Sequence, residues 1–142
     1  MKIAADASAV VAEALRQRGR HIFEHPAVDL SVAAPTWSEV EHEIQRRIAQ
    51  MAQHRRIEPE LIDDVLNGTM ARLRRHITIV SIDEYRQHEA VARARVPRDP
   101  NDWPTIAVAL SLDADIWTHD YDFFGCGIPV WTTETLLTHL DT

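Results

Sequence analysis

The stretch Asp99-Pro100-Asn101-Asp102-Trp103-Pro104, running on through Ile106-Ala107-Val108-Ala109-Leu110 to Trp117-Thr118-His119-Asp120-Tyr121-Asp122-Phe123, constrains the fold more than any other part of the chain. Its pattern predicts a loop, a helix over 102–112, a strand over 115–118 and a second acidic cluster where that strand ends. Asp102 stands where a helix start exposes free backbone N–H groups, with Pro104 in the first turn, so its carboxylate is either an N-cap or a ligand. Asp120 and Asp122 lie beside Phe123, Phe124 and Gly125. In that apolar setting uncompensated carboxylates repel, and a divalent cation would relieve the repulsion.

The rest of the chain alternates strand and helix. Ile3-Ala4-Ala5 reads as a short strand ending at Asp6, and Ala7 to Arg18 as a helix stopped by Gly19. Residues 27–33 make a second strand. Pro35 then opens a long helix with Trp37, Val40, Ile44, Ile48 and Met51 along one face. Leu61, Ile62, Val65, Met70 and Leu73 define another helix over 58–75, so 35–75 is predicted to be a helical hairpin. The β-branched run Ile77-Thr78-Ile79-Val80 is the clearest strand. A helix over 83–95 follows, Pro97 and Pro100 force an extended connector, and residues 128–131 and 132–137 suggest a last strand and a closing helix. With 142 residues, 45% of them hydrophobic, and no repeat or linker, 1–142 is expected to be one domain with its own core.

Such alternation implies an α/β protein with a mostly parallel sheet and helices on both faces, in which ligands bind beyond the carboxyl ends of the strands. Asp6 ends the first strand, Glu39 lies in the first turn after the second, and Asp120 follows the fourth. All three belong on one edge. Helix 83–95 should descend about 20 Å from that edge, and residues 96–101, extended at roughly 3.3 Å each, can just return Asp102 to it. Glu43, one turn beyond Glu39, competes for the same place, and Glu39 is preferred because it is nearer the strand end. Four converging carboxylates raise one another's pKa unless a cation joins them. An oxygen-only set suits Mg²⁺ or Mn²⁺ rather than zinc, and such ions serve phosphodiester hydrolysis.

Other chemistries fit less well. Cys126 is the only cysteine, which excludes an intrachain disulfide and points to a buried structural thiol. Ser8 and Ser38 have no evident histidine partner, and His119 is either an acid or phosphate contact or an ordinary histidine beside the site. Lys2 is the only lysine and no Gly-rich loop precedes it, so P-loop nucleotide binding is excluded, as is a phosphoacceptor receiver domain with a late lysine. A phosphohydrolase acting on a small metabolite, of the haloacid-dehalogenase type, would place Asp-x-Asp at the first strand, where Asp6 is followed by Ala7 and Ser8.

The net charge of −7 argues against binding nucleic acid by bulk electrostatics. Arginines nevertheless cluster at Arg46-Arg47, Arg55-Arg56 and Arg72, Arg74 and Arg75. A basic rim around an acidic centre is compatible with a polyanionic substrate, because arginine grips phosphate with a planar fork. No apolar run approaches the roughly 18 residues of a membrane span, and the N-terminus lacks a signal-peptide core, so a cytoplasmic protein without membrane contact is expected.

Asp6-Ala7-Ser8, Glu39 within Trp37-Ser38-Glu39-Val40-Glu41-His42-Glu43, Asp99-Pro100-Asn101-Asp102, and Thr118-His119-Asp120-Tyr121-Asp122-Phe123 together resemble the PIN-domain nucleases, which include the VapC-type toxins of toxin–antitoxin pairs. The resemblance implies a three-layer α/β/α sandwich, Mg²⁺- or Mn²⁺-dependent endoribonuclease activity, a homodimer, and a cognate antitoxin as partner. By that resemblance Asp6, Glu39, Asp102 and Asp120 match the metal-site acids, Asp122 an accessory acid and Thr118 a supporting hydroxyl, with Asp99 and Glu43 beside them. RNA as the substrate rests on the resemblance alone. A catalytically inactive PIN-like RNA-binding or scaffold protein is the alternative. The hairpin is longer than in many small toxins, so its apolar stripes, and the surroundings of Trp103 and Trp131, are candidate interfaces for a second subunit or antitoxin.

Overall fold

In the computed structural model, which describes residues 1–142, five parallel strands form one sheet. They are β1 (Lys2–Ala5), β2 (Asp29–Ala33), β3 (Ile77–Val80), β4 (Asp115–Trp117) and β5 (Val130–Trp131). The order is β3-β2-β1-β4-β5. The chain therefore winds outward from β1 through β2 to β3, crosses back, and winds outward on the other side through β4 to β5. Every connection must be a crossover, as parallel pairing demands. The helices that supply these crossovers are α1 (Ala7–Glu13), α2 (Gln17–Phe23), α3 (Ala34–Arg55), α4 (Pro59–His76), α5 (Ile82–Tyr85), α6 (Glu89–Arg95) and α7 (Trp103–Leu112), with α8 (Thr133–Leu140) closing the chain.

Side-chain alternation along the strands divides the interior into two cores, so the fold is a three-layer α/β/α sandwich. Ile3 and Ala5 of β1, Leu30 and Val32 of β2, and Trp117 of β4 face one layer, where they pack on α1, α2, α3, α4 and α8 through Val10, Phe23, Val40, Ile44, Leu73 and Leu136. Ala4, Ala33, Val80 and Ile116 face the other, packing on Tyr85, Ala92 and the α7 residues Ile106 to Ala109. Helix α7 lies between the sheet and α6, which explains why Ile106, Ala107 and Val108 are all fully buried. Cys126 is buried as a free thiol. Trp103 is buried, and Trp131 is half-buried against the first core, its indole N–H donating to Asp115 Oδ2 at 2.8 Å.

The predicted hairpin is present as α3 and α4. Arg56 turns the chain with a left-handed backbone (φ 50°), its N–H bonded to Ala52 O, and Pro59 opens α4. Four local expectations are corrected. The helix read as Ala7 to Arg18 ends at Glu13, and Gly19, read as its stop, lies inside α2. There a Cβ would stand 2.1 Å from the Glu13 carbonyl oxygen, so glycine is required by the close approach of α2 to the end of α1. The helix read over 83–95 breaks at a 3₁₀ turn, Arg86–His88. Tyr85 leaves helical geometry (φ −127°, ψ −4°) with its buried ring edge-on to Trp103, 5.5 Å between centroids. The second strand begins at Asp29 rather than 27, and the last at Val130 rather than 128.

Gly19 and Gly68 carry opposite expectations. Gly19→Ala should lower unfolding free energy by about 1–3 kcal/mol through overpacking. Gly68→Ala, in mid-helix with nothing within 4 Å of the added methyl, should raise it by ~0.5–1 kcal/mol. Urea denaturation of both variants checks the pair.

Candidate active site

The crossing-back of the chain places a topological switch between β1 and β4, and open α/β sheets bind ligands beyond the strand ends at such a point. Asp6 follows β1 directly, and its N–H continues the ladder by donating to Trp117 O at 2.9 Å. Thr118 and Asp120 follow β4 next door. Glu39 and Glu43 follow β2 on the early turns of α3, and Asp99 precedes, and Asp102 ends, the short 3₁₀ turn Pro100–Asp102 that delivers the chain into α7. The side chains of Asp6, Glu39, Glu43, Asp99, Asp102 and Asp120 line one recess of about 350 Å³, together with Ser8, Val11 and Arg47.

A hydroxyl cradle fixes Asp6. Ser8 Oγ donates to Asp6 Oδ2 at 2.8 Å and Thr118 Oγ1 donates to the same oxygen at 3.1 Å. Each hydroxyl accepts a backbone N–H in turn, Ser8 from His119 at 3.0 Å and Thr118 from Asp120 at 3.0 Å. With both protons on Asp6, the 3.2 Å approach of the two hydroxyl oxygens needs no proton of its own. This arrangement locks the Asp6 carboxylate to the start of the Asp120 loop. It also commits the Ser8 proton to a carboxylate, and His119 meets Ser8 only through its backbone N–H, so no histidine activates this serine.

Asp102 occupies the N-cap position of α7, yet its side chain caps nothing. Its Oδ2 and the Tyr85 hydroxyl are the buried side-chain polar atoms without a hydrogen-bond partner. For a neutral phenol the loss is modest. For a carboxylate it is severe, because burial removes water from a charge that nothing replaces. Burial, with Asp6, Asp99, Asp120 and Glu39 adding like charge, pushes the Asp102 carboxyl up from 3.8 to about 7. Burial likewise raises Asp6, where Ser8, Thr118 and nearby backbone N–H groups offset only part of the effect. Glu39 is raised by burial first, then by Asp6 and Glu43.

The remaining acids are held differently. Asp120 Oδ1 accepts the Asp122 N–H at 2.9 Å, and Asp99 Oδ1 accepts the Asn101 N–H at 3.2 Å. Glu43 is ion-paired with Arg46 at 2.9 Å. Asp122 does not line the recess: its carboxylate stands 3.6 Å from Arg98, so it meets the site through its backbone. His119 turns its Nε2 to Thr133 Oγ1 at 2.6 Å, the same oxygen that accepts the Trp117 indole N–H at 3.1 Å. It stands 3.8 Å from the fully buried Glu13 carboxylate, away from the acids of the recess.

Two lining residues take roles that the sequence reading did not give them, since Ser8 is read there as a serine without a histidine partner and Arg47 as part of a basic rim. Ser8 gave a signal in its spacing, a hydroxyl two residues beyond a carboxylate at a strand end. Arg47, the only cation of the recess, gave one in its position two helical turns beyond Glu39 on the same face of α3.

The recess offers hard oxygen donors of one sign with a buried unpartnered carboxylate oxygen among them, and that donor chemistry fits Mg²⁺ or Mn²⁺. No three of the side chains are close enough as placed to ligate one ion together. Magnesium needs fewer, since it keeps several waters and is commonly held by one or two carboxylates.

The family model of the PIN domain matches residues 5–141. The chain belongs to the PIN-domain family, a nuclease superfamily. Among solved structures it is similar to the crystal structure of PAE2754 from Pyrobaculum aerophilum, at 21% identity and a TM-score of 0.64, over 99% of this chain and 94% of that one. That likeness carries the fold. No curated protein matches the chain. No helix is long and apolar enough to cross a membrane.

Two outcomes follow for the metal-free protein. Asp102, raised in the folded state, takes up a proton there before it does in the unfolded chain. Its contribution to stability is therefore most favourable below about pH 4 and is lost as pH rises through about 7. Asp102→Asn should accordingly stabilise the fold near about pH 8 by about 1–2 kcal/mol, after discounting for the solvent that reaches the carboxyl, and flatten the pH profile of unfolding. Ser8→Ala should cost about 1–2 kcal/mol by leaving the His119 N–H without its acceptor, and raise the Asp6 pKa further, as NMR titration would read.

Proposed function

We propose that the chain is a Mg²⁺- or Mn²⁺-dependent endoribonuclease acting as the toxin of a toxin–antitoxin pair, with Asp6, Glu39, Asp102 and Asp120 as its metal-site acids. The observation that carries the reading is the buried, unpartnered Asp102 Oδ2 in a recess whose other acids add like charge and no compensation. A fold spends stability on such an arrangement where function demands it, since perturbed carboxyls concentrate at functional sites.

When bound, the ion would acidify a water for attack on phosphorus and neutralise charge gathering on the phosphate oxygens. The chain's own groups do the rest. Ser8 and Thr118 hold Asp6 by one oxygen and so fix the orientation of its carboxylate. Asp120 is anchored through Oδ1, which presents Oδ2 in a fixed direction. Glu39 and Glu43 rise on successive turns of one rigid helix, and Glu43 is partly neutralised by Arg46, which fits the earlier preference for Glu39 as a ligand. Arg47 can grip a phosphate oxygen of the strand as it enters, in a planar fork that lysine could not offer. Asp102, poised near neutrality, can hold a proton at the working pH in the absence of the ion.

RNA over DNA, a homodimer, a cognate antitoxin and a cytoplasmic setting complete the proposal. They are supported by the motif resemblance to VapC-type toxins. An RNA-binding scaffold with the same acids would bind metal without turnover.

Asp102→Asn and Asp120→Asn should each reduce Mn²⁺-stimulated RNA cleavage at least ~100-fold, on the scale of losing a charge-stabilising group from a reacting centre, with the circular dichroism spectrum unchanged. Unchanged cleavage in both variants removes the mechanism. Calorimetric Mn²⁺ titration runs alongside, because tight binding without hydrolysis would identify the scaffold instead.

A further inference from the structure

Residues 119–127, after β4, form a tight turn whose aromatic side chains divide sharply. Phe123 is fully buried in the second core, while Tyr121 is 75% exposed and Phe124 46% exposed. The two outer rings touch each other, with centroids 5.7 Å apart and planes tilted by 34°. Scattered exposed apolar residues are ordinary in any protein. A contacting aromatic pair on an anchored turn is a patch, and a patch asks for a ligand.

The mount is rigid. Phe124 N–H donates to Tyr121 O at 3.0 Å and Cys126 N–H to Phe123 O at 3.2 Å. Arg95 donates to the Cys126 carbonyl at 3.1 Å, and Gly127 (φ +85°) leaves room for that guanidinium, since a Cβ there would lie 3.0 Å from Arg95 Nη1. The position is equally specific. Asp120 lines the acidic recess, and the very next residue, Tyr121, lines a separate cleft of about 230 Å³ with His119, Thr132 and Glu134. Arg98, its side chain 73% exposed, stands 3.6 Å from Asp122 on the same turn. Two exposed rings with the exposed Arg98 on the same turn suit a ligand that joins a flat π-face to a phosphate better than the apolar face of a protein.

We infer that Tyr121 and Phe124 form a stacking platform for an unpaired nucleobase of the strand whose backbone enters the acidic recess. The inference rests on the nuclease reading and adds to it a base-stacking subsite at Tyr121 and Phe124. Every base has a π-face, so the platform tolerates sequence, whereas a duplex keeps its bases stacked internally and cannot use it. Arg98, exposed on the same turn, is the cation that a phosphate flanking the stacked base would meet.

The test is fluorescence-anisotropy titration of the full chain with a short labelled oligoadenylate, as RNA, as DNA and as the RNA annealed to its complement, in EDTA so that nothing is cut. Tyr121→Ala and Phe124→Ala should each weaken single-strand binding by ~5- to 150-fold, RNA and DNA alike, and leave duplex binding within twofold. Tyr121→Phe should restore the wild-type affinity, because the ring and not the hydroxyl does the stacking. Equal single-strand affinity in wild type and both alanine variants overturns the platform and leaves the nuclease reading to the Asp102 and Asp120 variants. Absence of single-strand binding by the wild type overturns it too. So does a change in mass by light scattering with RNA affinity unaltered, which would make the pair a contact between copies of the chain. Conversely, aromatic-dependent binding with no metal-stimulated cleavage would preserve the platform while the nuclease reading fell.

Discussion

Like charge gathered at one point of the sheet governs this molecule. Asp6, Glu39, Asp102 and Asp120 descend from different elements, and burial, with the like charge of its neighbours added, pushes the Asp102 carboxyl up to about 7. Nothing local would keep them together. What does is the parallel pairing of β1 with β4, extended by the Asp6 N–H to Trp117 O bond and completed by the Ser8 and Thr118 hydroxyls. Two cores on opposite faces of the sheet, one of 20 buried residues and one of 14, supply the burial that offsets the repulsion.

Behind the recess a second set of charges is fully compensated, and the contrast is instructive. Glu13, at the end of α1, is completely buried, and Arg18 meets it with two hydrogen bonds, at 2.7 and 3.0 Å. Arg18 also reaches Glu134 on α8, so one guanidinium ties α2 to both neighbours. The close approach that Gly19 permits brings α2 against Glu13 and makes this clamp possible. His119 joins it at 3.8 Å and bonds Thr133, while its backbone N–H holds Ser8. The chain can neutralise a buried carboxylate where structure requires it. At Asp102 it does not.

The overall acidity and the proposed polyanionic substrate are reconciled along a single helix. Helix α3, about 33 Å long at 1.5 Å per residue, carries Glu39 and Glu43 at its start and Arg47, His54 and Arg55 further along. Arg47 belongs both to the acidic recess and to a broad open cleft with Gln50, Gln53, His54 and Arg55. The sign of the field therefore reverses along the helix. The net charge of −7 describes the average and conceals this polarity.

Periodicity, β-branched runs and proline positions determined much of this architecture unaided: alternating elements, a parallel sheet and a hairpin from residue 35 to 75, while the family was carried by the resemblance of four short motifs. They also placed Asp6, Glu39 and Asp120 at a common edge, because position relative to a strand end is a one-dimensional property. Only the tertiary structure decided which way each side chain turns. It sent the Asp122 carboxylate to Arg98, committed Ser8 to Asp6, brought Arg47 beside the acids, and left Asp102 Oδ2 without a partner although Asp102 reads as an N-cap. It also broke the helix at Arg86–His88 and put Gly19 inside α2. Those outcomes depend on through-space packing and hydrogen bonding between residues as far apart in the chain as Ser8 and His119, and pattern within a window of sequence cannot encode them.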